Sequence, residues 1–276
     1  MSAWTREREV SEMALNAAGE PIVVTERRGR AGIIRFNRPE SRNAVSAELT
    51  IAVAEAIDAF EADDDVWVLV ITGTGQAFCA GADLKQMGSP SALAPEDRVK
   101  LGGFAGISTR RFVKPVIAAV NGFALGGGTE ICLSCDLVVA EEHAQFGLPE
   151  VKRGIVAGAG GMQRLPRRVP PAIALEMVMT GAPISAARAL ELGLINRVVP
   201  AGEGLDAALE LAETISENAP LAVRYSRAVA RASFSSGEDD ALVGLEAMRD
   251  AMFASEDSKE GPRAFAEKRP PKWAGR

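Results

Sequence analysis

The sequence has one histidine and one tyrosine, and only 5% of its 276 residues are aromatic. A cluster of histidines that holds a metal ion is therefore excluded. A serine or cysteine nucleophile activated by histidine would have to use His143, which lies in the polar segment EEHAQ, typical of a solvated turn. The single histidine narrows the possible chemistry more than any other feature of the composition.

Cysteine and long apolar runs are also scarce. Three cysteines, an odd number, argue against a disulfide framework and agree with a reducing compartment. No run reaches the roughly 18 apolar residues that a membrane span requires. The first 20 residues alternate charged and small side chains and lack the apolar core of a signal peptide. We therefore expect a cytoplasmic protein that does not bind membranes.

The charge balance is acidic. A formal net charge of -6 and a sequence pI near 5.1 argue against general attraction to nucleic acid. A polyanionic ligand would have to be held by a few local cations. The last segment, EGPRAFAEKRPPKWAGR, is basic within this acidic chain, a pattern equally typical of a phosphate contact and of a solvated tail.

Strands and helices alternate over the first part of the chain. Apolar residues recur at helical spacing from Ser46 to Phe60, and the acidic stretch EADDD ends this predicted helix. Strands are predicted for a hairpin at 21–35 and for the apolar runs VWVLVITG, PVIAAV at 115–120 and DLVVA at 136–140. The alternation favours α/β layers with much of the sheet buried.

The strand signal fades from about residue 157, with INRVV at 195–199 as one brief exception. Helices are predicted at 204–218, 220–234 and 238–254. We expect three regions: a flexible N-terminal lead at 1–20, an α/β core with the active site at 21–200, and a helical region at 201–276 that packs on the core or on another subunit.

Two segments rich in small residues allow a ligand to approach backbone amides. In ITGTGQAFCAGADLKQM a strand ends and the chain turns before Asp83. In NGFALGGGTEICLSCD three glycines lead directly into a helix, whose first amides suit an anion or a developing oxyanion. No Gly-Lys-Ser/Thr follows the glycines, and GIVAGAGGMQRL has Gln163 at the third glycine position of a dinucleotide fingerprint. Neither nucleotide motif is therefore predicted.

Two glutamates are candidates for proton transfer. Glu130 follows Gly127 by three residues, in the first turn of the predicted helix, where helix charge would keep it ionised and usable as a base. Glu150, in FGLPEVKRG, follows a proline and could face the same cavity from another segment. The residues alone favour an ordinary helix-start or surface carboxylate for each, because such charges are usually exposed.

Six segments, in their order and spacing, resemble the enoyl-CoA hydratase (crotonase) superfamily: NRPESRNAVS, AFCAGADLK, KPVIAAVNGFALGGGTEICLSCDLVVA, AQFGLPEVKRGIVAGAGGMQRL, ALELGLINRVV and FAEKR. Together they span nearly the whole chain after residue 20. GGFAGI, PPAIALEMVMTGAPISA and the basic ending are especially similar to carnitinyl-CoA dehydratases. The resemblance implies an α/β fold with a crotonase-like repeated ββα core and a helical C-terminal trimerisation region.

The resemblance also implies the catalytic groups. The amides of Ala82 and Gly127 would form an oxyanion hole for the carbonyl of a coenzyme A thioester. Glu130 and Glu150 would be the two glutamates of the hydratases, which hold one water between them. The implied reaction is reversible hydration of a 2-enoyl-CoA to a 3-hydroxyacyl-CoA.

The implied coenzyme A contacts lie in three places. Ala82, Asp83, Leu84 and Lys85 would wrap the pantetheine and adenine, and Arg42 would meet a phosphate. Phe265 and Lys268 would reach coenzyme A bound to a neighbouring subunit of a homotrimer or a dimer of trimers. No permanently bound cofactor and no metal are expected, because coenzyme A belongs to the substrate.

Two alternatives stay open. The first is the same chemistry on crotonobetainyl-CoA, whose trimethylammonium group would want an aromatic or acidic cage, with Phe104 and Phe123 as candidates. The second is a noncatalytic or RNA-binding member of the superfamily, against which the acidic charge argues. Ala157 and Met162 depart from residues common in relatives, which leaves acyl-chain preference undecided.

Overall fold

The computed structural model describes residues 14–86, 93–234 and 245–276. Residues 1–13 of the predicted N-terminal lead and residues 238–244 of the last predicted helix lie outside these ranges. Within them, no helix is long and apolar enough to cross a membrane. The expected cytoplasmic location stays a prediction.

The strands, in chain order, are β1 (Val23–Arg28), β2 (Ala31–Phe36), β3 (Val68–Gly73), β4 (Ala77–Cys79), β5 (Val116–Val120), β6 (Phe123–Leu125), β7 (Leu137–Glu141), β8 (Gln145–Gly147), β9 (Ile184–Ser185) and β10 (Arg197–Val199). The α-helices are α1 (Ala47–Ala62), α2 (Pro95–Lys100), α3 (Gly127–Ser134), α4 (Gly161–Arg164), α5 (Pro171–Thr180), α6 (Ala186–Glu191), α7 (Gly204–Ser216), α8 (Pro220–Ser233), α9 (Glu246–Ala254) and α10 (Glu256–Ala266). Short 3₁₀ helices lie at Pro39–Ser41, Phe104–Gly106, Pro149–Arg153 and Leu165–Arg167.

Two sheets organise the fold. The larger has the order β1-β2-β3-β5-β7-β10, with β1 antiparallel to β2 and the remaining pairs parallel. The smaller has the order β4-β6-β8-β9 and is parallel except between β8 and β9. Every residue of β3 and β5 is buried, as expected for parallel strands covered on both faces. The predicted α/β class is confirmed.

The longer elements match the sequence predictions. The hairpin turns at residues 29–30, where Gly29 has a φ of 57°, and Arg28 pairs with Ala31. α1 starts after Ser46, whose hydroxyl accepts a hydrogen bond from the Leu49 amide at 3.2 Å. Within the described ranges, helices lie at all three predicted C-terminal positions. The smaller sheet was not predicted, because strands of two or three residues are too short to show an alternating pattern.

The two faces of the larger sheet bury separate apolar clusters. One face packs with α1, α3 and the smaller sheet, and includes Ile34 and Ile71. The other includes Ile33 and Val70 and is covered by α7, through Ala208 and neighbouring side chains. α7 is therefore one layer of the packed core, and the proposed boundary near residue 200 stays a prediction.

Asp136 fastens α8 to the larger sheet. Its carboxylate accepts hydrogen bonds from the Val116 amide at 2.8 Å, from Arg227 Nε at 2.6 Å and from Arg231. The side chain is 13% exposed. One buried charge thus joins the start of β5, the residue before β7 and two turns of α8.

Asp136→Asn should lower the free energy of unfolding by about 2–4 kcal/mol, because it leaves two arginines without their partly buried counter-charge. Chemical denaturation of both proteins would measure the difference. Asp65→Asn is the matched control, since Asp65 also pairs with two arginines, Arg27 and Arg30, but is exposed. That control should cost far less, because ion pairs in solvent contribute little to stability. Equal losses in the two variants would contradict the role of Asp136.

Candidate active site

The start of α3 is built from backbone packed against backbone. Gly126 precedes the helix with a φ of 57°, a left-handed conformation that favours glycine. A Cβ on Gly128 would lie 2.1 Å from the Cys79 carbonyl oxygen, and one on Gly127 would lie 2.3 Å from the ring of Phe104. The three glycines therefore let β4 and the Phe104 ring come directly against the helix N-terminus.

The loop after β4 lies beside this helix start. Gly81 is close enough that its Cβ position would be 3.5 Å from the Gly127 amide nitrogen. The loop is held by Val45, whose amide donates to the Gly81 carbonyl and whose own carbonyl accepts from the Asp83 amide, so that the Ala82 amide between them is left out of this pairing. Over the described residues, no hydrogen bond is donated by the amide of Ala82 or of Gly127. Two neighbouring segments thus offer unused donors.

Glu130 is 3% exposed, one turn into α3. Its Oε1 accepts hydrogen bonds from the amides of Ala159 at 2.7 Å and Gly161 at 2.8 Å. Burial raises the pKa of Glu130, and this outweighs the two amides and the Arg164 charge, which lower it. Helix charge was expected to keep this carboxylate readily ionised, but burial has the larger effect on its pKa. The two orienting amides were also missed, since main-chain donors have no residue-type signature.

Glu150 reaches the same place from the 3₁₀ helix Pro149–Arg153. A Cβ on Gly126 would lie 2.9 Å from Glu150 Oε1, so this carboxyl group abuts the backbone that starts α3. Its Oε2 is buried and accepts no hydrogen bond from the described residues. Burial, and then the nearby Glu130 carboxylate, raise the pKa of Glu150. The structure therefore brings the two predicted glutamates into one site.

The predicted coenzyme A loop is held by an ion pair. Arg38 Nη2 lies 3.1 Å from Asp83 Oδ2, with both side chains mostly buried. Asp83 Oδ1 also accepts a hydrogen bond from the Lys85 amide at 3.2 Å. Leu84 and Lys85 are exposed at the end of this loop. Asp83 therefore shapes the loop, and Arg38, which the sequence argument did not single out, anchors it.

Arg42 is exposed and has a φ of 53°, in the turn that leads to the site. Its carbonyl oxygen accepts a hydrogen bond from the Ala80 amide at 3.0 Å. The Arg42 backbone is therefore fixed to the strand end that precedes the Ala82 amide, while its guanidinium is free to face solvent. Its proposed contact with phosphate stays a prediction.

Phe265 and Lys268 lie at the end of α10 and in the turn after it. Phe265 is 88% exposed, and Lys268 has a φ of 53°. Among the described residues, no hydrogen bond or ion pair links either to the two glutamates or to the Ala82 loop. Within one chain these two residues are thus not brought to the site, and their role toward a neighbouring subunit stays a prediction.

The residues considered for contact with the acyl group lie in different surroundings. Phe104 contacts Gly127 through its ring, whereas Phe123 lies at the start of β6, paired with Ala77 and Gln145. Ala157 is buried in the larger apolar cluster, and Met162 is exposed. Of this set, Phe104 has the closest described contact with the helix start.

Comparison with known proteins gives a consistent result. The sequence profile of the family described as enoyl-CoA hydratase/isomerase matches residues 26–276. The chain is 42% identical over 262 residues to enoyl-CoA hydratase EchA19 of Mycobacterium tuberculosis, covering 93% of this chain and 97% of that protein. It is 43% identical over 258 residues to the carnitinyl-CoA dehydratase of Proteus mirabilis, covering 90% and 97%. The crystal structure of enoyl-CoA hydratase EchA1 from Mycobacterium marinum superposes with a TM-score of 0.87 at 45% identity, covering 93% and 100%.

Glu150→Gln should stabilise the fold at neutral and higher pH. Because the pKa of Glu150 is raised in the folded state, its contribution to stability is fully present below the ordinary value of 4.5 and is lost as the pH rises through the raised pKa. The variant should therefore be more stable than the native protein by about 1 kcal/mol at about pH 8, and not at about pH 4. Denaturation curves at both pH values would show this. Glu142→Gln, at an exposed site, should change neither; a Glu150→Gln variant less stable at high pH would contradict the expected burial effect.

Proposed function

This chain belongs to the enoyl-CoA hydratase/isomerase family, and from that premise we propose that it is a hydro-lyase that adds water reversibly to a 2-enoyl-CoA thioester, giving a 3-hydroxyacyl-CoA. The main support for the proposal is one observation about the site. A buried carboxyl group, Glu130, and a partly buried one, Glu150, both with raised pKa values, share a site beside the unused amides of Ala82 and Gly127.

The two amides suit the charge that hydration creates. When water adds to C3 of the enoyl group, the electrons of the C2–C3 double bond move onto the thioester oxygen and form an enolate. Donors that are already fixed in place stabilise such an oxyanion without reorganising. Ala82 and Gly127 are held by the bridge to Val45 and by the first turn of α3, and so meet this requirement.

Glu130 suits the role of general base. Its Oε1 is already occupied by the Ala159 and Gly161 amides, which fix the carboxylate and leave Oε2 to accept a proton from water. The water oxygen then bonds to C3. A raised pKa makes a carboxylate a stronger base, closer to the range in which proton transfer is efficient.

Glu150 suits the role of general acid. Its buried Oε2 has no partner among the described residues, and the Glu130 carboxylate disfavours a second negative charge beside it. Both effects favour the protonated form, which can deliver its proton to C2 of the enolate. Glu130 gains one proton and Glu150 loses one, so that exchange with solvent restores the starting state.

We assign the coenzyme A contacts to the loop Ala82–Lys85, with Arg42 near a phosphate and with Phe265 and Lys268 contributed by a neighbouring subunit of a trimer or a pair of trimers. The exposed Leu84 and Lys85 and the exposed Phe265 support this arrangement. Phe265, which is 88% exposed, is thus available for contact with a neighbouring subunit. No resident cofactor is required for the proton chemistry.

A second candidate substrate is crotonobetainyl-CoA, which would give carnitinyl-CoA by the same steps. Relatives named carnitinyl-CoA dehydratase are as similar to this chain as those named enoyl-CoA hydratase. The Phe104 ring against Gly127, together with the two carboxyl groups, supports a site that tolerates a trimethylammonium group.

Incubation with a panel of enoyl-CoA thioesters, including crotonyl-CoA and crotonobetainyl-CoA, tests the proposal directly. Loss of the conjugated thioester absorbance reports hydration. At least one member should be hydrated with a kcat/KM of about 10⁴ M⁻¹s⁻¹ or more, the lower end of typical enzyme values. Strong preference for crotonobetainyl-CoA would favour the second candidate. Failure to hydrate any member would overturn the proposed function.

Glu130→Gln and Glu150→Gln should each lower turnover by roughly 100- to 10,000-fold, the usual effect of removing a general acid or base. The affinity for coenzyme A should change little, since neither residue is assigned to it. Because the two groups act on one water, the loss in the double variant should be much smaller than the product of the single losses. Steady-state kinetics of the three variants, with Glu142→Gln as the exposed control, would decide; near-normal hydration by either single variant contradicts the assignment.

A further inference from the structure

Arg164 is a half-buried cation at the end of α4 to which the proposed reaction gives no part. Its Nη1 donates a hydrogen bond to the carbonyl of Ala159 at 3.0 Å, and its Nη2 donates to the carbonyl of Ser108 at 2.5 Å. Ala159 is also the residue whose amide binds Glu130. The guanidinium therefore hydrogen-bonds to the same peptide segment whose amides orient Glu130, the proposed base.

The hydrogen bond from Arg164 to the Ser108 carbonyl links this segment to the one that holds Phe104. The Ser108 hydroxyl accepts a hydrogen bond from the Phe104 amide at 2.8 Å, and the Phe104 ring packs on Gly127. One cation thus ties the segment that holds Glu130 to the segment that lies against the first amide of α3. A planar group with several fixed donors is suited to such a two-sided contact, whereas a lysine is not.

Gly160 is shaped for this contact. It has a φ of 105°, and a Cβ there would lie 2.0 Å from Arg164 Nη1. The guanidinium therefore lies in close contact with Gly160, the residue between the two whose amides donate to Glu130. Any side chain at this position would push the cation away.

The charge of Arg164 also acts on the base. Burial raises the pKa of Glu130, and Arg164 is the cation among the described groups that opposes it. The other nearby charges are Glu150 beside Glu130, and Arg231, Arg168 and Arg167 around Arg164. Glu130 and Arg164 do not form a direct ion pair within the described ranges, so the attraction acts across the Ala159–Gly161 segment.

We propose that Arg164 is a positioning residue for hydration: it fixes the Ala159–Gly161 amides on Glu130 and joins them to the segment that holds Phe104. Its positive charge also favours the ionised form of the proposed base. The inference rests on the proposed function, because it assigns Glu130 the role of base. It adds a residue that acts through its contacts with Ala159 and Ser108.

Three variants separate geometry from charge. Arg164→Met removes both and should lower kcat roughly 10- to 100-fold, the usual cost of a misplaced catalytic group, with little change in KM. It should also move the acidic limb of the kcat/KM profile to higher pH, since only the Ala159 and Gly161 amides then oppose the effect of burial on the Glu130 pKa. Arg164→Lys keeps the charge and should recover the native pH profile but only part of kcat. Gly160→Ala keeps the arginine but displaces it, and should lower kcat.

Arg167→Met is the matched control, because Arg167 is an exposed arginine in the adjacent turn and should behave as the native protein. Thermal unfolding and coenzyme A binding would establish that each variant folds; if Arg164→Met does not, the other two variants decide. A native pH profile in Arg164→Met, or native kcat in both Arg164→Met and Gly160→Ala, would overturn the inference.

A readout without substrate keeps this result distinct from the proposed function. The Glu130 carboxyl carbon, labelled with ¹³C and assigned by its absence in Glu130→Gln, should titrate at higher pH in Arg164→Met than in the native protein. If the native protein hydrates none of the thioesters, the proposed function fails, whereas this titration still decides whether Arg164 acts on Glu130.

Discussion

The close approach of three backbone segments at the start of α3 is the constraint on which the site depends. Glycines at 126–128 leave no room for a Cβ between the helix, the Cys79 carbonyl and the Phe104 ring. This packing places the Ala82 and Gly127 amides in neighbouring segments and buries the first turn of the helix. Burial of that turn, in turn, raises the pKa of Glu130. The geometry of the donors and the basicity of the carboxylate thus have one physical origin.

The larger sheet supports the site, but the site residues lie outside it. β3 and β5 are buried on both faces, and α7 and α1 cover opposite sides. The site itself is formed by loops and by the smaller sheet, where β4, β6 and β8 bring residues 79–82, 126–128 and 147–150 together. A rigid scaffold with functional groups on its connections is the usual division in α/β proteins. Here the connections are made rigid by main-chain contacts.

The sequence was informative where a pattern repeats over many residues. α1 was predicted because apolar side chains recur at helical spacing from Ser46 to Phe60, and the hairpin because two β-rich runs flank a glycine-containing turn. β9, with two residues, shows no such spacing. In the site, residue types alone favoured an ordinary surface carboxylate for Glu130 and Glu150, and only the resemblance over several segments pointed to both. The Ala159 and Gly161 amides and the Arg164 contact were not predictable, because a main-chain donor or acceptor leaves no mark in the residue type.

Because main-chain donors orient Glu130, its geometry does not depend on hydrogen bonds from side chains of the segment that holds it. The hydrogen bonds come from the backbone at positions 159 and 161, so the Ala159 side chain contributes nothing to them. Side chains along this segment can therefore change while the Glu130 carboxylate keeps its two hydrogen bonds. Gly160 and Gly161 are exceptions, because a Cβ at Gly160 would lie 2.0 Å from Arg164 Nη1 and one at Gly161 would lie 3.0 Å from Glu130 Oε1. Variants that differ at position 159 would therefore share one orientation of the proposed base and differ in the surface next to it.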